Sequence, residues 1–113
     1  MNEKSSQGLL NLTRVVLEQI FSKYVVSSIT DEDIEIFSNV VSHNLSRLYG
    51  EYNFVLITRY VAGISEAQAL EILSPNHCIS IERIRQIEQE ALHQLKEAVL
   101  ETLLAITDYY IKK

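Results

Sequence analysis

Residues 80–113 contain neither glycine nor proline, and their apolar positions step by three and four: Ile84, Ile87, Ala91, Leu95, Val99, Leu103 and Ile106. A strand would alternate every second residue, so this spacing predicts a helix, capped by Ser80 and running to about Ile111. A helix that long either breaks once or packs its stripe against the rest of the chain or a second copy. Breakers are scarce elsewhere too. Three glycines and one proline in 113 residues are too few for the turns of a barrel or sandwich. With 47% hydrophobic and 22% charged residues the chain folds, and its length fits a single all-α domain.

Leu9, Leu12, Val16 and Ile20 make a second stripe, widened by Leu10, Leu17, Phe21 and Tyr24, which predicts one amphipathic helix over residues 9–27. Thr30 caps the next, with Asp31, Glu32 and Asp33 in the first turn where the helix dipole favours acids. Its stripe is Ile34, Phe37, Val41, Leu45 and Leu48, and Gly50 reads as its stop. Residues 52–62 are β-rich in composition, yet no second strand exists to pair with them, so they are assigned to a short buried helix ending at Gly63. Ser65 and Gln68 have capping-box spacing for a helix over 66–73, which Pro75 ends.

The chemistry-bearing residues are few. His43, His77 and His93 lack ligand spacing, so no metal site is expected. A single cysteine, Cys78, excludes an internal disulfide and suits a reducing compartment. No nucleophile–base–orienter set and no glycine-rich phosphate loop is present, so neither an enzyme nor a cofactor is expected. Tyr49, Tyr52 and Tyr60 read as packing residues, and Tyr109 with Tyr110 could cover a partner surface. Residues 1–8 are polar and no window holds ~18 uninterrupted apolar residues, which together predict a cytoplasmic protein without a membrane span.

One segment says more. Residues 70–87 read LEILSPNHCISIERIRQI, with Leu73, Ser74, Ile79, Ile84 and Ile87 at offsets that suit a helix-turn-helix. The run SIERIRQIE at 80–88, followed by Ala91, Leu92 and Leu95, resembles the recognition helix of region four of bacterial primary-type sigma factors. The resemblance covers residues 53–95. It implies a helix-turn-helix over 51–95; the N-terminal helical hairpin read over 1–50, expected to pack against it, and the C-terminal helical extension over 96–113 lie outside the resemblance.

The resemblance also implies promoter DNA and RNA polymerase as partners. Ser80 would cap the helix against a phosphate, Glu82, Arg83 and Gln86 would face the major groove, and Arg85 would meet backbone or a base edge. Arginine reads guanine, glutamine adenine, and glutamate accepts from cytosine. The expected function is a small transcription regulator. The alternative is an adaptor that keeps the fold to dock on RNA polymerase or another complex without touching DNA. A homodimer through the C-terminal helix would compensate for weak single contacts.

Departures from the family pattern are specific. Ile81 and Glu90 stand where basic residues are usual, His93 and Gln94 replace a basic pair, Pro75 interrupts the first helix and Cys78 occupies the turn. Three basic residues face five acids between 80 and 101, which weakens the phosphate grip. The formal charge of −5 is less telling, because more than half of it falls in residues 30–50. Burial of Arg83 or Gln86 against the hairpin would exclude the DNA reading.

Overall fold

The structure is a computed structural model that describes residues 3–65, 67–69, 71–72 and 80–112, with side chains within 7–109. Every regular element among the described residues is helical. They are α1 (Glu3–Ile20), α2 (Lys23–Ser27), α3 (Asp31–Ser46), α4 (Gly50–Leu56) with a π-helical continuation at Ile57–Val61, and α5 (Ile81–Lys112). Residues 67–69 and 71–72 are also helical.

The single helix expected over 9–27 is two helices. The Val25 N–H donates to Ser22 Oγ at 3.2 Å, so the serine hydroxyl starts a new helix where the old one would have continued. The break turns Val26 inward against Leu17 and Ile34, and leaves Phe21 42% and Tyr24 84% exposed rather than in the stripe. Thr30 caps α3 as its sequence predicts, accepting from the Asp33 N–H at 3.2 Å.

Gly50 does not stop α3; it opens α4. A left-handed glycine is unnecessary because α3 closes with tight bonds from Arg47 N–H to Asn44 O and Leu48 N–H to Leu45 O. The Asn53 amide, from the next helix, donates a further bond to Leu45 O at 2.7 Å. Gly63 is the stop that residues 52–62 require. Its φ of 70° reverses the chain after the Ala62 N–H reaches back to Ile57 O and the Ile64 N–H to Thr58 O. A Cβ on Gly8 would fall 2.5 Å from the Tyr60 carbonyl oxygen, so only glycine lets α1 lie this close to the π turn.

Three apolar clusters result. The largest joins Leu12 and Val16 of α1, Val41 and Leu45 of α3, Leu56 of α4, and Ala91, Leu95 and Val99 of α5. A smaller one gathers Val55, Ala69, Ile84 and Ile87 beneath the start of α5, and a third holds the α1–α3 corner. At 32 residues α5 is ~48 Å long, which accounts for the 52 Å long dimension of the molecule. It is one unbroken helix.

Candidate nucleic-acid interface

Ser80 and the first two turns of α5 carry all five residues singled out from the sequence. The Ser80 hydroxyl accepts the Arg83 N–H at 3.1 Å, and its carbonyl accepts the Ile84 N–H at 3.1 Å. Its O–H hydrogen remains available to an acceptor, since a hydroxyl both donates and accepts. Ile84 and Ile87 are fully buried, and this alone fixes which way the helix faces. With 3.6 residues per turn, Glu82 and Gln86 point away from the core while Arg83 and Arg85 flank them on either side. Ser80, Glu82, Arg83, Arg85 and Gln86 are all exposed, and none is buried against the hairpin. Arg83 Nη1 makes a long 3.5 Å contact to Gln86 Oε1.

The acids on α5 are less alike than their count suggests. Glu88 is held by Arg59 Nε at 3.1 Å with both side chains largely covered, and Arg59 Nη1 also donates to Ile64 O at 2.8 Å. One guanidinium thus ties the π turn, the loop after it and the start of α5 together, and offsets one carboxylate beside the exposed face. Glu90 accepts from Tyr52 Oη at 3.0 Å. That hydrogen bond, with smaller contributions from burial and the Glu90 and Glu51 charges, holds the Tyr52 phenol above its ordinary value of 10.0. Ile81 is half-buried, so the position where the family carries a basic residue faces packing here.

Arg59 escaped the sequence reading, and so did the polar role of Tyr52. The available signal for Arg59 was its standing as the one charged residue within 52–62. Its partner lies 29 positions away, beyond any local pattern. The turn of the expected helix-turn-helix, with Leu73, Ser74, Pro75, His77, Cys78 and Ile79, lies outside the described residues. Among the described residues, Val55 and Ala69 pack with Ile84 and Ile87 in one buried cluster. The Ser65–Gln68 capping box also forms, with Gln68 N–H to Ser65 Oγ and Ser65 N–H to Gln68 Oε1 both at 3.2 Å. No group of His, Cys, Asp or Glu able to hold a metal ion occurs among the described residues. No described helix is long and apolar enough to cross a membrane.

Compared with protein-family models, with curated proteins and with solved structures, the chain matches none.

Proposed function

We propose that this protein is a small transcription regulator that contacts promoter DNA through the N-terminal turns of α5, in the manner of sigma region four. The observation that carries the reading is the pairing of two fully buried isoleucines, Ile84 and Ile87, with five exposed polar residues around them: Ser80, Glu82, Arg83, Arg85 and Gln86. A helix presented this way can lay its outer face in a major groove while its inner face stays in the core. Arg59 supports it by offsetting Glu88 next to the contact surface.

Two arginines on the flanks set a modest electrostatic term, so binding falls with added salt along a shallow slope. Fluorescence anisotropy of the full chain on a promoter duplex tests this. Arg83→Ala with Arg85→Ala removes salt-sensitive binding; unaltered binding in the double variant, or no binding at low salt, overturns the proposal.

A second reading is favoured by the acids that remain. Glu90, Glu97 and Glu101 are exposed along α5 and make it a poor tracker of phosphates beyond its first turns. On that reading the same face docks on RNA polymerase or another protein complex without DNA. Polymerase retained by the wild-type chain but lost in the double arginine variant, with no duplex shift in either, selects the adaptor.

A further inference from the structure

The break at Ser22 leaves Phe21 and Val25 at the surface. Phe21 is 42%, Val25 44% and Ile36 63% exposed, and with Ile29, Asp33 and Phe37 they line one groove between α2 and α3. Ile29 and Phe37 are half-buried on the cluster of Leu17, Val26 and Ile34, so the groove has a firm floor. A contiguous apolar patch with a charged rim marks an interaction site. Here the rim is acidic. Asp33 lines the groove, Glu32 lies one turn before Ile36 and Glu18 one turn before Phe21, and all three are exposed. None of these three carboxylates forms an ion pair among the described residues, whereas the neighbouring Asp31 is held by Arg14 at 2.7 Å. Lys23, the nearest cation in sequence, stands two positions from both Phe21 and Val25 and so projects from another side of the turn.

From this we infer that the α2–α3 groove receives an amphipathic helix of a partner protein. Its apolar face sits on Phe21, Val25 and Ile36, and lysine or arginine on its flank meets Asp33 and Glu32. Charge excludes the other occupants. Nucleic acid and anionic lipid are repelled, and a second copy on a two-fold axis would set Asp33 and Glu32 against themselves. An extended peptide needs a sheet edge for its backbone hydrogen bonds, and every regular element among the described residues is helical; a helix satisfies its own backbone. Each wall of the groove is little more than one turn long, so the complex is small and weak. None of the lining residues belongs to α5, so the inference stands apart from DNA contact.

Backbone amide shift mapping of the full chain at low salt tests it, with two synthetic helical peptides that share a leucine face. One carries lysine on its flanks and the other glutamate. The leucine–lysine peptide shifts the signals of Phe21, Val25, Ile36 and Phe37, and the leucine–glutamate peptide does not. Ile36→Ser, at an exposed position that leaves the unfolding midpoint unchanged, weakens binding about tenfold. Glu32→Gln with Asp33→Asn weakens it several-fold, and Glu32→Lys with Asp33→Lys transfers the preference to the leucine–glutamate peptide. Equal response to both peptides overturns the inference, as does no response to either. Shifts centred on residues 105–109 overturn it by assigning the contact to the exposed end of α5. Concentration-dependent shifts at Phe21, Val25 and Ile36 in the chain alone overturn it by making a second copy the occupant.

Discussion

The two ends of α5 follow one sequence pattern and meet different fates. Over 84–99 the stripe is buried on every turn by the hairpin and α4; Thr102 and Leu103 are half-covered, and over 105–109 the same stripe meets solvent. Periodicity decides which face of a helix is apolar, and only tertiary structure decides what covers it. At the N-terminal end the covered stripe turns a polar face outward in a fixed direction. At the C-terminal end the stripe itself is the available surface.

That contrast is easily broken at its buried end. Ile87→Ala should cost about 2–5 kcal/mol in urea unfolding, from lost burial and the cavity left behind, whereas Ile106→Ala should stay within about 0.5 kcal/mol in dilute solution. Equal costs at the two positions would refute the difference in cover. Arg59→Met should follow at about 1–3 kcal/mol, because it strands a largely covered Glu88 carboxylate and the Ile64 carbonyl. An unchanged unfolding midpoint would show that the guanidinium does not tie α5 to the π turn.

Smaller effects sharpen the N-terminal end further. Ser80→Ala removes the α5 cap and should cost about 1 kcal/mol, with amide exchange accelerating at Arg83 while residues 95–99 stay protected. Tyr52 gives the smallest signal. Its phenol titrates above the ordinary value of 10.0, so the proton that bonds Glu90 is fully held below that pH and lost as pH rises through the shifted value. Ultraviolet titration should show late-ionising tyrosine absorbance that Tyr52→Phe reduces. The burial-shifted Tyr60 accounts for the part that remains.

Much of this molecule was legible locally. The Thr30 cap, the Ser65–Gln68 box, the Gly63 stop and the Ser80 cap each depend on residues within a few positions of one another, and each forms. The features that escaped depend on distant partners. The break at Ser22 lets Val26 join Ile34, Gly50 is freed from a capping role by the tight end of α3, and Glu88 finds Arg59. Glu82 and Gln86 proved exposed because the 3.6-residue period sets them opposite Ile84 and Ile87, with Arg83 and Arg85 on the flanks, and Ser80 is exposed as the cap that precedes the helix. Which of the acids nearby would be held by another group was beyond that pattern.

Backbone amide chemical-shift mapping during titration of the full chain with a promoter duplex tests the division of α5 most directly. The account predicts perturbations concentrated at residues 80–86, fading with added salt, while 102–109 stay unmoved. Shifts centred on the exposed C-terminal end of α5, or none at saturating duplex, would contradict it.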